Sequence, residues 1–219
     1  MRQVEIPYTG ELFKQKLLHW AAQQDFCVFL DSCNTEIDRY GQYDFLLGVS
    51  SADAAATFKN LDELQNAIAA DPFAWRFGVL GYDLKNSLHE SLKLDPPSGI
   101  HFPEMYFFQA EIVIAKKRNS PWLSFELGYS QEVFNAIAQT EIPKGKVEGF
   151  EAFTSNFTEA QYKTSVEQLR QHIKEGDSYE INLSQNFSSK AKVSHPAALW
   201  SKLTQLSATP FAGLSLIHL

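Results

Sequence analysis

The spacing of apolar residues changes within residues 155–187 from a helical period to alternation. Apolar residues first recur at intervals of three or four, which predicts an amphipathic helix; they are Tyr162, Val166, Leu169 and Ile173. Thr158 and Gln161 predict a capping box at its start, and Gly176 predicts its end. Alternation then continues to Phe187 and predicts a strand with one face toward a core. The polar face of this strand fits either a solvated sheet surface or the wall of a site for a polar ligand.

The first 140 residues show a mixed pattern of short helices and strands. Apolar residues at helical spacing predict helices over residues 9–21, 60–71 and 131–139, and apolar runs predict strands over 26–30, 43–49, 75–84, 106–114 and 122–127. The last two strands are expected to form a hairpin. Thr9 is the expected N-cap of the first helix, and Asn60 with Glu63 caps the second.

The composition shifts at residues 141–152 to proline, glycine and scattered charge, which is typical of a linker. We therefore predict an N-terminal domain over 1–140 and the start of a second, incomplete domain over 153–219. The second domain goes on to a helix with Pro196 in its first turn and a strand that stops at Leu219 inside an apolar run. Because a bare apolar strand end favours edge pairing, we expect the chain to be the front part of a longer protein.

Composition narrows the class of protein. The net charge of −7 over 219 residues argues against a sequence-independent grip on nucleic acid or anionic lipid. No apolar run approaches the roughly 20 residues that span a bilayer. The two cysteines, Cys27 and Cys33, imply no disulfide framework, so a cytoplasmic location is expected.

No set of residues in the sequence assembles an acid, a base and a nucleophile. The six histidines are scattered, without metal-ligand spacing to one another or to cysteine. Cys27 and Cys33 are expected to be a core thiol and a loop thiol. Motifs for a nucleophile elbow or for phosphate binding are missing from the sequence.

Eight positions of the helix–strand segment carry a specific resemblance. They are Gly176, Asp177, Tyr179, Asn182, Leu183, Ser184, Gln185 and Phe187. In this register the segment resembles the start of the chorismate-binding domain of the chorismate-utilising enzymes, with Glu180 where glutamine is usual. That family includes component I of anthranilate synthase and of aminodeoxychorismate synthase, and the isochorismate and salicylate synthases.

The resemblance implies an α+β fold in which two β-sheets pack together with helices outside, here truncated. In the family the N-terminal domain is largely structural and regulatory. The catalytic residues and the ligands of Mg²⁺ lie beyond the stretch that Pro210 and Phe211 match. We therefore assign no catalytic residue and no metal ligand, expect Mg²⁺ only in the full-length enzyme, and expect this chain alone to be inactive.

Within the family, residues 77–86 followed by Glu90 resemble the form found in aminodeoxychorismate synthases, although Ser87 and His89 replace the acidic residues usual there. This resemblance implies that the full-length enzyme aminates chorismate at C4. The ammonia would come from a glutamine amidotransferase partner, and the product would lead to 4-aminobenzoate and folate. The alternative, anthranilate synthase component I, would add ammonia at C2 and eliminate pyruvate.

Family members also hold tryptophan in a pocket, as a feedback inhibitor or as a structural ligand. The pocket residues that the resemblance implies here are Ser32, Tyr40, Tyr43, Pro210, Phe211 and Ala212. A serine hydroxyl, tyrosine rings and a proline edge suit an indole and its ammonium group. The competing interpretation makes Ser32 a turn residue and Phe211 part of the core.

A hypothesis from another class of protein remains open. If the short chain is natural, its acidic character and its 13% aromatic content suit a non-catalytic module that binds an aromatic amino acid or docks an amidotransferase. A reading frame that continues into the family's catalytic motifs would favour the enzyme.

Overall fold

The structure, a computed structural model, describes residues 3–35, 40–53, 56–93, 103–143, 150–190 and 193–217. It divides into two compact units. The larger unit comprises Met1–Pro143 and Pro196–Leu219, and the smaller unit comprises Lys144–His195. The predicted linker falls partly on residues 144–149, which lie outside the described residues.

The larger unit is built on two antiparallel sheets. Its strands are β1 (Val4–Pro7), β2 (Phe26–Asp31), β3 (Tyr43–Ser50), β4 (Thr57–Phe58), β5 (Arg76–Leu80), β6 (Met105–Gln109), β7 (Ile112–Lys117), β8 (Trp122–Leu127) and, near the end of the chain, β11 (Ala212–Ile217). Six of them form one sheet in the order β1-β8-β7-β3-β2-β11. The other three form a small sheet in the order β4-β6-β5. The predicted hairpin is present as β7 and β8.

The helices of the larger unit are only partly capped by side chains. They are α1 (Glu11–Ala21), α2 (Leu61–Ala70), α3 (Lys85–Leu88), α4 (Gln131–Gln139) and α6 (Pro196–Leu206), with short 3₁₀ turns at Tyr82–Leu84 and Glu90–Leu92. The side chain of Asn60 accepts the N–H of Glu63 at 2.9 Å, as predicted. Thr9 is wrong as the first N-cap. Gly10, at φ +96°, holds that position, and no side chain caps the helix. Among the described residues, no helix has the length and apolar character needed to cross a membrane.

Two apolar clusters hold the larger unit together, one on each face of the six-stranded sheet. Helices α1, α4 and α6 supply Leu17, Ile137 and Ala197 to the first cluster, together with strand residues such as Phe29. The small sheet supplies residues such as Phe77 to the second cluster. The α+β fold with two packed sheets and outer helices is therefore confirmed.

The strand predicted over residues 106–114 is two strands in two different sheets. Strand β6 ends at Gln109 in the small sheet, and β7 begins at Ile112 in the large one. At the crossing, the Glu111 carboxylate accepts hydrogen bonds from Ser50 Oγ at 3.1 Å and from the Ser51 N–H at 2.9 Å. The alternation changes phase at the crossing, because the cluster between the sheets contains Phe108 and Ala110 but then Val113, whereas Ile112 and Ile114 belong to the other cluster. Both faces of β7 are therefore apolar, and the change of phase leaves no polar residue on a buried face. The hydrophobic pattern therefore cannot reveal the change of sheet.

The smaller unit contains β9 (Thr154–Ser155), α5 (Glu159–Glu175) and β10 (Phe187–Ser188). The capping box of Thr158 and Gln161 is present, and Gly176 ends α5 at φ +86°. The long strand predicted up to Phe187 is wrong, because regular pairing is confined to Phe187 and Ser188 with β9. A strand forms only where its backbone has a partner. Tyr179 is accordingly 98% exposed, and none of the described residues of this unit is buried.

Candidate ligand-binding pocket

The structure brings five of the six sequence-predicted pocket residues to one cavity of about 220 Å³. These five are Ser32, Tyr43, Pro210, Phe211 and Ala212. The sixth, Tyr40, is 92% exposed and is not among the described residues that line the cavity. Other lining residues are Leu30, Asp31, Gly41, Gln42, Asp44 and Leu46.

Three adjacent strands position this cavity at one end of the six-stranded sheet. Asp31, the last residue of β2, stands opposite Phe45 of β3 on one side and opposite Ala212 of β11 on the other. The Ser32 N–H donates to the Asp44 carbonyl at 2.9 Å, which extends this pairing by one residue. Segments that lie far apart in the sequence therefore meet because β11 pairs with β2.

Ser32 is 6% exposed, and its Oγ has no hydrogen-bond partner in the described part of the chain. Its carbonyl accepts the Thr35 N–H at 3.0 Å, so Ser32 also opens a turn, as the competing interpretation required. The turn engages only the backbone of Ser32. A buried hydroxyl without a partner costs about 1–3 kcal/mol, and a ligand in the cavity could satisfy it.

Phe211 is 83% exposed. The interpretation that makes Phe211 a core residue is therefore wrong. With Leu30, Leu46 and Pro210 it gives the cavity an apolar wall. An apolar wall beside a few polar groups is the usual make-up of a small-molecule pocket.

Two carboxylates at the pocket are held by lysines. Lys116 Nζ lies 2.9 Å from Asp44 Oδ2, and Lys14 Nζ lies 2.6 Å from Asp31 Oδ2. Lys116 Nζ also lies 5.3 Å from the centroid of the Tyr8 ring. Burial raises the pKa of Tyr8 to about 12, and the charges of Glu11, Asp44 and Asp31 add to the shift. Tyr8 therefore stays a neutral phenol at physiological pH.

The cavity offers binding groups but no activated nucleophile. Burial raises the pKa of the Cys27 thiol to about 12 and also raises that of Cys33. Since the thiolate is the reactive form, neither cysteine is activated near pH 7. The arrangement suits recognition of a small molecule with an apolar body and a hydrogen-bonding group, such as an ammonium.

Among the described residues, one group of three side chains could hold a metal ion. It lies at the end of α5 and consists of His172, Glu175 and Asp177, all exposed. His172 Nδ1 lies 2.7 Å from Asp177 Oδ2. Mg²⁺ prefers a near-octahedral set of oxygen ligands, whereas this group contains an imidazole.

The sequence prediction missed Gly41, Gln42 and Leu46 as lining residues. Their positions in the sequence could have indicated this role, because they flank the predicted pocket residue Tyr43 at the start of β3. The lysine partners Lys14 and Lys116 lie 17 and 72 positions from Asp31 and Asp44, and no local pattern announces such pairs.

Three comparisons with known proteins each found a match. A family model described as chorismate binding enzyme matches residues 14–215. Aminodeoxychorismate synthase component 1 of Bacillus subtilis (strain 168) is 28% identical over 244 residues, a match that covers 94% of this chain and 51% of that protein. The structure of the menaquinone-specific isochorismate synthase MenF of Escherichia coli matches with a TM-score of 0.48 and 14% identity, over 94% of this chain and 45% of that one.

The chain thus spans about half the length of the curated relative it matches. The family model, by contrast, covers nearly all of the described residues, including both ends of the candidate pocket. The chain belongs to the chorismate binding enzyme family.

Proposed function

We propose that this chain is the N-terminal portion of an aminodeoxychorismate synthase component I. The observation that carries the proposal is the match to the Bacillus subtilis protein of that name over 94% of the chain. The residues of the 77–86 stretch, which resembles the aminodeoxychorismate synthase form, support the same assignment. The whole enzyme would exchange the 4-hydroxyl of chorismate for an amino group.

The partner would be a glutamine amidotransferase that supplies ammonia. The catalytic groups and the Mg²⁺ ligands would lie in another part of the full-length enzyme. That part corresponds to the portion of the relative that this chain does not span. We therefore expect the chain alone to be inactive. A cytoplasmic setting agrees with its two free cysteines.

The full-length enzyme that contains this chain tests the reaction. The product that it forms from chorismate, ammonium and Mg²⁺ would be identified by mass spectrometry. Aminodeoxychorismate, which retains the enolpyruvyl group, is the expected product. Anthranilate or isochorismate as the main product would overturn the proposal.

A second role proposed for this chain is to bind tryptophan or a similar aromatic amino acid in the 220 Å³ cavity. The observation that favours it is the buried Ser32 hydroxyl without a partner. In this arrangement Ser32 would bond to the polar end of the ligand, while Pro210 and Phe211 would contact its ring. A titration with L-tryptophan followed by calorimetry tests the pocket independently of the reaction.

A further inference from the structure

A second cavity, of about 320 Å³, lies between α1, the turn after β2, and α6 of the larger unit. Its volume lies in the range of small-molecule sites. The residues that matter here are Glu11, Lys14, Leu18, Asp31 and Trp200. Asp31 lines this cavity as well as the smaller one, but the two cavities differ in the charge that they present.

The charged groups of the larger cavity favour a cation. Glu11 and Asp31 contribute two negative charges against the single positive charge of Lys14. Lys14 is already engaged, with its Nζ 2.6 Å from Asp31 Oδ2. A bound anion would therefore meet a carboxylate rather than an available ammonium, whereas a cation would gain a charge partner in Glu11.

The aromatic side chain that lines the cavity also favours a cation. Trp200 packs edge-on against Phe29, with ring centroids 5.3 Å apart and an interplanar angle of 88°. It is half-buried and lines the cavity. Tryptophan is the best aromatic partner for a cation, and a planar guanidinium also stacks on it. Leu18, 2% exposed, adds an apolar surface for an aliphatic body.

We propose that this cavity binds a small organic cation, a guanidinium or primary ammonium on a short aliphatic body. Glu11 is its charge partner, because the other carboxylate of the cavity, Asp31, is already paired with Lys14. A carboxylate can accept two parallel hydrogen bonds from a guanidinium. Trp200 is its stacking surface. The proposal goes beyond the chorismate reaction and does not depend on it.

Ethylguanidinium and its neutral analogue ethylurea are matched probes for this site. Each would be titrated into the intact chain, and the amide resonances of residues 11–18 and 200–205 would be followed by NMR. We expect saturable shifts in the millimolar range with ethylguanidinium and none with ethylurea. Glu11→Gln is expected to weaken binding about tenfold, because it removes the charge partner.

Glu5→Gln is the matched control, since Glu5 is exposed on β1 and is not among the residues that line the cavity. It should leave the affinity unchanged. Equal binding of the two probes would overturn the proposal, as would equal affinity of the Glu11→Gln and Glu5→Gln variants. Shifts that rise linearly without saturation, or that fail to weaken in Trp200→Phe, would also overturn it.

Discussion

The ammonium of Lys14 lies 2.6 Å from the carboxylate of Asp31, and the two side chains are only 12% and 3% exposed. Asp31 Oδ1 also accepts the Cys33 N–H at 2.8 Å. Breaking such a pair from one side leaves a buried charge without compensation, which typically costs 3–5 kcal/mol. We therefore expect Lys14→Met to lower the free energy of unfolding by about 3 kcal/mol, measured by urea denaturation.

The double variant Lys14→Met with Asp31→Leu separates charge from packing. Replacing both ions by apolar groups removes the uncompensated charge, so we expect this variant to be more stable than Lys14→Met alone. If the double variant were less stable than Lys14→Met, the ion pair would not be the reason for the loss.

Close approach of the two sheets depends on Gly48 of β3. A Cβ added at this position would lie 2.3 Å from a ring carbon of Phe77. Because overpacking a close-packed core forces neighbouring groups to move, Gly48→Ala is expected to destabilise the fold by about 1–3 kcal/mol. Thermal and urea unfolding would measure the loss.

Gly213→Ala is the control for Gly48→Ala, because the nearest atom to its new Cβ would be 3.5 Å away, an ordinary contact. It should cost much less than Gly48→Ala. Adding Phe77→Leu to Gly48→Ala makes room for the new methyl group. The two substitutions together should therefore cost less than the sum of their separate effects, and simple additivity would contradict the contact.

Local signals predicted local structure well. The capping box of Thr158 and Gln161 and the stop at Gly176 fix the ends of α5, because each depends on residues within one turn. The sequence could not show that the chain leaves one sheet and enters another near Ala110, since the same apolar layer lies on both sides of the crossing. The strands that pair with each other lie far apart in the sequence, and alternation of apolar residues does not predict which strands pair.

The same distinction explains the outcome for the candidate pocket. Ser32, Tyr43 and Phe211 were brought together by resemblance to a family, and the pairing of β11 with β2 explains physically how they meet. The ion pair of Lys14 and Asp31 had no signal in the pattern. Buried charge pairs between distant segments depend on the finished topology.

The end of α5 is expected to respond to pH through His172. A hydrogen bond with Asp177 raises the pKa of His172 above its usual value of 6.5. The folded pKa is thus higher than the unfolded one, so this contribution to stability is fully present below pH 6.5 and is lost as the pH rises through the folded pKa. Amide exchange at residues 172–176, compared between pH 5.5 and pH 8 and corrected for its intrinsic pH dependence, should therefore show weaker protection at the higher pH.

Asp177→Asn tests the cause of this shift. It removes the charge while keeping an oxygen acceptor, so an NMR titration should show a lower pKa for His172 in this variant. An unchanged titration midpoint would mean that Asp177 does not hold the imidazolium, and the predicted pH dependence would then lack its source.

Ser32 yields a prediction in which stability and binding move in different directions. Its buried Oγ has no partner in the described part of the chain, so Ser32→Ala removes a desolvated group without breaking a hydrogen bond, and the free energy of unfolding should stay level or rise. If the hydroxyl serves a ligand, the affinity for L-tryptophan should fall about tenfold in the same variant.

The control is Ser124→Ala, because Ser124 is also buried and its Oγ accepts a hydrogen bond from Gln3 at 2.8 Å. That variant should lose stability and keep its affinity. Calorimetric titration would measure the affinity of both variants, and urea unfolding would measure their stability. A Ser32→Ala protein that is less stable but binds tryptophan as before would show that the hydroxyl stabilises the fold and does not bind the ligand.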